Sequence, residues 1–378
     1  MSWHPKVCLP NRISLAPFPF LYTKMAAPLS KKRKLVIAEI CDWDSDVVLY
    51  LFGKKRKQGS TYSQDFERFC LEDKTDEQIR KFCRFMPDDL PRLVNGLGIP
   101  DVLICPDRTK TTAMEALLIT LRRLTYPNRL CDLEPIFGRP SCALSQIFNS
   151  TLDIIHENCG HLLQSFDQDW LVNGYEHFAR AIQLKGAPLN NVWGFIDGTV
   201  RPICRPVEGQ RSCYNGHKRV HALKYQSIVC PNGLIANMYG PVEGRRHDSG
   251  LLRISQVANN LQQIQIDDEV GCIYGDPAYP HRNYIQVPSK PPGDDDEQEF
   301  NTRMSAVIIC VEWVFGKIVE NFAFVDFKKN QKLCLQSIGK MYLVAALLTN
   351  CHTCLYGSET SDFFDLPPPT LEEYLLMD

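Results

Sequence analysis

Two apolar runs that each end in an aspartate constrain the fold of this chain more than any other feature. Residues 191–199, NVWGFIDGT, and residues 270–276, VGCIYGD, read as buried strands that stop at or just after Asp197 and Asp276. A carboxylate at the end of a buried strand loses hydration, and a divalent cation commonly compensates that loss. The two runs therefore predict a sheet with a pair of carboxylates at one edge.

The segments between and after these runs indicate a mixed α/β fold. Residues 218–229 alternate, and a Pro-Asn-Gly turn at 231–233 predicts that the chain returns as an antiparallel strand. Strand, strand, strand, helix, strand, strand, helix is the order of a ribonuclease-H-like domain, in which the first and fourth strands are neighbours. Asp197 and Asp276 are thus expected side by side at the edge of a mixed five-stranded sheet. The predicted elements are strands at 191–199, 218–229 and 234–240, a helix at 249–264, strands at 270–276 and 283–288, a mobile acidic loop at 293–299, and a helix at 301–322.

Glu312 adds a third carboxylate from the last predicted helix. It shares one helical face with three apolar residues, at spacings of four, three and four: Ile308, Phe315 and Val319. A carboxylate on an apolar face is explained if that face packs on the sheet and Glu312 reaches the two aspartates.

Three carboxylates from two strand ends and one helix are the ligands that two divalent cations, about 3.5–4 Å apart, require. We expect Mg²⁺, or Mn²⁺, because both prefer carboxylate oxygens. Sites of this kind activate an attacking water or 3′-hydroxyl and stabilise the leaving oxygen. Taken singly, each carboxylate is equally typical of a turn or a helix cap, so the prediction depends on the strand order.

Composition divides the chain into four predicted regions. Residues 63–184 carry apolar side chains at spacings of three and four, which predicts helices before the sheet begins. The regions are a weakly structured basic segment at 1–60, a helical domain at 61–188, a ribonuclease-H-like nuclease domain at 189–357 and an acidic tail at 358–378.

Residues 130–155 outline a helix, a glycine turn at Gly138 and a second helix. This outline is typical of a helix-turn-helix, in which Ser145, Gln146 and Asn149 would be polar contacts to DNA. An ordinary helical hairpin fits the same residues, because the second helix has almost no base to hold phosphate.

Charge is unevenly distributed in a chain whose formal net charge is only −2. The segment from Arg201 to Arg246 nets +6, which could attract DNA phosphates or could be a solvated sheet face. The bases that we expect to contact DNA are Lys218, Arg219, Arg245 and Arg246.

Two short basic runs near the start, SKKRKLV at 30–36 and KKRK at 54–57, predict nuclear import.

The sixteen cysteines lack regular spacing, which favours a reducing compartment over a disulfide framework. The longest late apolar run, 341–348, is far shorter than the ~20 residues of a membrane span, so we expect no membrane association.

Five motifs, taken in order, resemble the signature of a known family. They are IDGT (196–199), YNGHK (214–218), GRRHDSG (244–250), GDPAYP (275–280) and NTRMSAVIICVEWVFG (301–316). Together they resemble the PIF/Harbinger superfamily of DNA transposases and the host-derived nucleases related to it, which are DDE endonucleases. The resemblance covers about residues 114–357.

The resemblance implies a catalytic Asp-Asp-Glu triad of Asp197, Asp276 and Glu312. Family members have 35 residues between the second aspartate and the glutamate, and 35 residues separate Asp276 from Glu312 here. Asp248 is a fourth carboxylate typical of the family, and it either assists metal binding or caps the helix beginning at Ser249.

The resemblance also implies an activity and partners. The activity is metal-dependent cleavage of phosphodiester bonds at transposon ends, followed by joining of the freed 3′-hydroxyl to target DNA. The partners are double-stranded DNA and a Myb-like DNA-binding protein, and self-association into a homo-oligomer is a further expectation. The alternative is a domesticated, catalytically inactive DNA-binding or scaffold protein that keeps the fold.

Overall fold

The sheet that the two aspartate-ending runs predict is present. The computed structural model describes residues 69–290, 292–333 and 335–377. Its strands are β1 (Val102–Ile104), β2 (Lys110–Thr112), β3 (Val192–Pro202), β4 (Tyr214–Asn215), β5 (Val220–Val229), β6 (Ile235–Glu243), β7 (Gln265–Ile266), β8 (Glu269–Val270), β9 (Cys272–Gly275) and β10 (Ile285–Gln286).

The central sheet has the order β10, β9, β3, β5, β6, and the short β4 pairs with the start of β5. Strand β3 is parallel to β9 and antiparallel to β5, and β5 is antiparallel to β6. The turn between β5 and β6 places Gly233 at φ 83°, where glycine is favoured, and Leu234 donates its backbone N–H to Asn232 Oδ1. The predicted strand order is confirmed, and this mixed α/β architecture is consistent with a ribonuclease-H-like fold. The prediction that the first strand stops near Asp197 was wrong, because β3 continues to Pro202 and its second half stays paired with β5.

Helices surround the sheet and precede it. The α-helices are α1 (Asp76–Cys83), α2 (Asp89–Gly96), α3 (Ala113–Thr125), α4 (Leu130–Phe137), α5 (Ser141–Cys159), α6 (Asp169–Val172), α7 (Tyr175–Leu184), α8 (Gln210–Cys213), α9 (Asp248–Ser255), α10 (Val257–Leu261), α11 (Asp295–Ile308), α12 (Cys310–Asn321), α13 (Ile338–Tyr356), α14 (Glu359–Phe364) and α15 (Leu371–Leu375). Single 3₁₀ turns lie at Gly160–Leu163, Ala323–Asp326 and Lys328–Asn330.

The helices before β3 share a hydrophobic core with the sheet. Leu117 of α3, Ile147 of α5, Phe195 of β3 and Leu347 of α13 belong to one cluster of buried side chains. All described residues accordingly lie in one compact unit. The division at residue 188 between a helical domain and a nuclease domain stays a prediction.

The hairpin predicted at 130–155 has the expected elements. Helices α4 and α5 are joined at Gly138, which has φ 60°, and α5 packs against α3, α4 and α13. Asn149 donates its side-chain N–H to Ser145 O within α5, so part of its hydrogen-bonding capacity is used inside the helix. A role for this hairpin in reading DNA stays a prediction.

One predicted helix and one predicted loop differ in the structure. The predicted helix at 249–264 is interrupted at Gln256, whose φ of 57° ends α9 and begins α10. The acidic residues predicted to form a mobile loop instead begin α11: Asp294 accepts a hydrogen bond from Glu297 N, and carboxylates in this first turn face the positive end of the helix dipole.

The predicted acidic tail folds onto the rest of the unit. It contains α14 and α15, and Tyr374 is fully buried, with its hydroxyl oxygen accepting a hydrogen bond from the side-chain N–H of Asn350. Glu372 forms an ion pair with Arg92 at 2.7 Å. Its acidic composition therefore does not keep this segment away from the core.

The prediction from the two basic runs concerns residues that the structure does not describe. The basic runs at 30–36 and 54–57 lie in the segment before residue 69, which is outside the described part. Within the described chain, every cysteine is a free thiol, and no helix has both the length and the apolar character to cross a membrane.

Candidate active site

The register between β3 and β9 brings Asp197 and Asp276 together. Ile196 of β3 pairs with Gly275 of β9 in a parallel ladder, and the two aspartates are the next residues on their strands. Neighbouring strands lie about 4.7–4.9 Å apart, and residues at the same register of parallel strands project to the same side. The two carboxylates therefore lie beside each other, as the strand order predicts.

Asp197 lies in an environment that disfavours its charge. The pKa of the Asp197 carboxyl is raised to about 6, mainly by burial and to a smaller extent by the charges of Asp276, Asp248 and Glu312. The Gly198 N–H, which donates to Asp197 Oδ1 at 2.7 Å, opposes this rise. All four predicted carboxylates thus interact electrostatically around one point. Asp276 is exposed, and its Oδ1 accepts a hydrogen bond from Ala278 N at 2.9 Å.

Glu312 is near this point, at the exposed margin of the predicted helix face. Phe315 is buried, and Ile308 and Val319 pack against the core, so these three apolar residues face the interior as predicted. Glu312 itself is exposed. The helix predicted at 301–322 is interrupted at Ile309, where Glu312 N donates to Ile309 O in a tight i→i+3 turn.

Asp248 is bound by a buried lysine. Lys224 Nζ donates to Asp248 Oδ2 at 2.8 Å and lies equally close to Oδ1, which accepts no hydrogen bond. Asp248 is the first residue of α9, and the capping position belongs to His247, without a side-chain capping bond. The prediction that Asp248 caps this helix was therefore wrong, and a role in metal binding stays a prediction.

Two further side chains at this edge of the sheet were missed by sequence reasoning. Tyr279 is buried, its hydroxyl has no hydrogen-bond partner within the described chain, and burial followed by the charges of Asp248, Asp197 and Asp276 raises its pKa well above the usual range. Lys224 was counted only as a base of the +6 segment. The position of Tyr279 inside the GDPAYP motif was an available signal for the first of them.

The four predicted DNA-contacting bases lie on two adjoining loops. Lys218 and Arg219 are exposed in the turn between β4 and β5, and Arg245 and Arg246 are exposed after β6. Asn215 donates its side-chain N–H to Gly244 O at 2.7 Å, which joins the loops.

Not all of the +6 segment faces solvent. Lys224 is buried against Asp248, and Arg201 bonds to Thr199 and pairs with Asp326. Arg246 pairs with Glu243 at 2.7 Å in an ion pair that solvent screens. The exposed positive charge is thus confined to the two loops and the segment that precedes them.

The chemical type of these carboxylates suits a hard divalent cation, but their present spacing does not form a complete metal site. Within the described residues, no group of three or more His, Cys, Asp and Glu side chains has the arrangement to hold a metal ion. Asp197 and Asp276 accept hydrogen bonds from backbone N–H groups, and Lys224 occupies Asp248. The donor set is nevertheless all carboxylate oxygen, and the buried Asp248 Oδ1 has no partner besides Lys224 among the described residues, so the chemistry of these residues fits Mg²⁺ or Mn²⁺.

A comparison with protein families locates the same region. Residues 196–350 match the family described as DDE superfamily endonuclease. The matched range contains Asp197, Asp248, Asp276 and Glu312. No curated protein and no solved structure matches the chain.

Replacing Asp197 by asparagine should stabilise the metal-free protein. Because the folded-state pKa of Asp197 is about 6, against an ordinary value of 3.8, ionisation of this carboxyl opposes folding as pH rises through that window. We expect Asp197→Asn to raise the free energy of unfolding at pH 8 in EDTA by on the order of 2 kcal/mol, measured by urea denaturation. The gain should shrink toward pH 4, and an equal gain at both pH values would contradict this account.

Proposed function

We propose that the chain is a metal-dependent DNA endonuclease whose catalytic residues are Asp197, Asp276 and Glu312. The premise is that residues 196–350 match the DDE superfamily endonucleases, a family whose description indicates nuclease activity. The observation that carries the proposal is the position of Asp197 and Asp276 directly after the last residue pair of the parallel β3–β9 ladder, within the electrostatic reach of Glu312.

The chain's own residues hold and orient the carboxylates. Gly198 N and Ala278 N each donate to one aspartate, which fixes both side chains before any ligand binds. Helix α12 packs against β3 and keeps Glu312 on the exposed side of this edge, where a phosphate can approach. A divalent cation bound by these carboxylates would supply a Lewis acid that polarises the phosphate and lowers the pKa of the attacking group.

We also propose which DNA the chain acts on. The motifs resemble those of PIF/Harbinger transposases, which supports cleavage at transposon ends and joining of the 3′-hydroxyl to a target. A nuclear location, a Myb-like partner and a homo-oligomer are proposed on the same resemblance. The exposed loops that carry Lys218, Arg219, Arg245 and Arg246 are proposed to bind the duplex backbone, because their charge lies beside the loop that leads to Asp248.

Conversion of supercoiled plasmid to nicked circles by the purified full chain tests the nuclease directly. We expect nicking in Mg²⁺ or Mn²⁺ and none after addition of EDTA. Transfer of a labelled oligonucleotide with a free 3′-hydroxyl into the plasmid then tests joining. Nicking that persists in excess EDTA would contradict the metal-dependent mechanism.

Removing two bases from the exposed loops should weaken DNA binding without regard to sequence. Lys218→Ala/Arg219→Ala removes two charges that make no ion pair within the described residues, so the slope of log K against log salt should fall by about 0.9 for each phosphate that these side chains neutralise. The measurement is fluorescence anisotropy of a labelled duplex between about 50 and 200 mM salt. Over this range of salt, phosphate contacts change the affinity most clearly.

The matched control is Lys74→Ala/Lys110→Ala. Both lysines are exposed and belong to the segment before β3, and the double variant changes net charge by the same amount. It should leave the salt slope as it is in the unmodified chain. Equal slopes for the two double variants would show that Lys218 and Arg219 do not contact the backbone.

A further inference from the structure

Lys224 is a cation inside the candidate metal site. It lies on β5, is only 6 % exposed, and its Nζ is 2.8 Å from both carboxylate oxygens of Asp248. The same Nζ donates to Arg246 O at 3.3 Å, two residues before Asp248. One ammonium therefore binds both the carboxylate and the backbone that carries it.

The Lys224–Asp248 pair lies directly over the strand residue that follows Asp197. A Cβ at Gly198 would lie 3.1 Å from Lys224 Cε and would overlap Asp248 Oδ1. The glycine thus provides the space that lets the pair approach the catalytic edge. Charge from Asp248 reaches Asp197, which is consistent with the closeness of the two carboxylates.

The Lys224–Asp248 contact can be exchanged for a contact between Asp248 and a metal ion. A buried ion pair is retained only if each charge is compensated, and Lys224 is the compensating charge for Asp248. Asp248 Oδ1 contacts the Lys224 ammonium at 2.8 Å but accepts from no other donor among the described residues, and a carboxylate oxygen has a second lone pair that a hard cation could use. A divalent cation and the ammonium would both seek this carboxylate, and like charges cannot share it closely.

We propose that Lys224 is a resident cation that competes with a divalent metal ion for Asp248 and thereby limits the affinity of the site. This inference rests on the proposed function, because it assumes that Asp197 and Asp276 hold the metal. While the site is metal-free, the Lys224 ammonium binds the Asp248 carboxylate and offsets part of the negative charge of the carboxylate cluster. Metal binding must displace the ammonium or proceed without Asp248.

The test is the affinity of the full chain for Mn²⁺ alone, measured by electron paramagnetic resonance of the free ion. Lys224→Met, which keeps the length of the side chain but removes its charge, should tighten Mn²⁺ binding by about tenfold or more, the scale on which outer-shell partners act. Lys224→Arg keeps the charge and should gain far less. Lys224→Met/Asp248→Asn should lose the gain, because the freed carboxylate is gone.

Two controls separate competition from general effects. Lys110→Met removes one positive charge at an exposed position and should leave Mn²⁺ affinity as it is in the unmodified chain. Thermal unfolding should show that Lys224→Met is less stable than the unmodified chain in EDTA and is stabilised more by Mn²⁺, since a tighter ligand stabilises more at equal concentration.

The outcomes distinguish this inference from the proposed function. If the unmodified chain binds Mn²⁺ and Asp197→Asn does not, the metal site stands, and a Lys224→Met variant with unchanged affinity then overturns the competition alone. If no variant binds Mn²⁺, the proposed function and the competition are both overturned. A gain in Lys224→Met that survives the added Asp248→Asn change would also overturn the competition, because the gain would not come from Asp248.

Discussion

Glu312→Gln should lower metal-dependent nicking by about 10³-fold, on the order of 4 kcal/mol of transition-state stabilisation, while the fold and DNA binding persist. Glu312 is exposed in the first turn of α12, so the amide replaces the carboxylate without disturbing packing. The variant lacks one negative charge next to Asp197, and with it a ligand for the metal. The measurement is the initial rate of plasmid nicking in Mg²⁺, with duplex binding measured in parallel.

Glu320→Gln is the matched control for this variant. Glu320 is an exposed glutamate of the same helix, and the change is chemically identical. We expect its nicking rate to stay within about twofold of the unmodified chain, because surface substitutions away from a site have small effects. Equal rates for Glu312→Gln and the unmodified chain would remove Glu312 from the catalytic set.

Gly198→Ala should cost about 3 kcal/mol of the free energy of unfolding, although it adds a single methyl group. That methyl would overlap Asp248 Oδ1 and press on Lys224 Cε, and the adjacent pair is buried. Overpacking a filled site costs about 1–3 kcal/mol, and the shift also separates the ion pair, so we expect a loss at the upper end of that range. Urea denaturation in EDTA measures the loss in the metal-free state.

Gly250→Ala offers a control on the same side of the sheet. Gly250 lies in α9, two residues after Asp248, and a Cβ there meets no atom within 4 Å. Alanine is favoured over glycine in a helix by about 0.5–1 kcal/mol, so this variant should be more stable. If Gly198→Ala were also neutral or stabilising, the close approach of Asp248 to Gly198 would be contradicted.

The sequence was most informative about the two aspartates of the candidate site, although β3 continues past Asp197 to Pro202. Asp197 and Asp276 could be placed together because each ends an apolar run and because the order of elements makes their strands neighbours. Neither inference needs a long-range contact to be known in advance. The register then follows from the parallel ladder.

The sequence was less informative where a single turn or a distant partner decides the geometry. Periodicity could not reveal the interruption at Ile309, nor that Glu312 stays exposed beside residues that pack on the core. Lys224 lies in an alternating strand and looks like a solvent-facing base, but its partner Asp248 is 24 residues away and holds it in the interior.

One local signal was present in the sequence and was overlooked. Asp294 and Glu297 have the spacing of a helix N-terminus, and the acidic residues between them favour the first turn of a helix over a loop. Composition alone suggested mobility for this run and an acidic tail at 358–378. Composition could not show that Tyr374 is buried, and one buried aromatic side chain can anchor an otherwise acidic segment.

The most direct test of the central claim is anomalous diffraction from crystals of the full chain soaked in MnCl₂. The account predicts manganese peaks in contact with the carboxylates of Asp197 and Asp276, with Glu312 as a further ligand, and it predicts their loss in Asp197→Asn crystals soaked in the same way. Peaks that lie elsewhere, or a site at Asp197 that stays empty while manganese is bound at other positions, would contradict it.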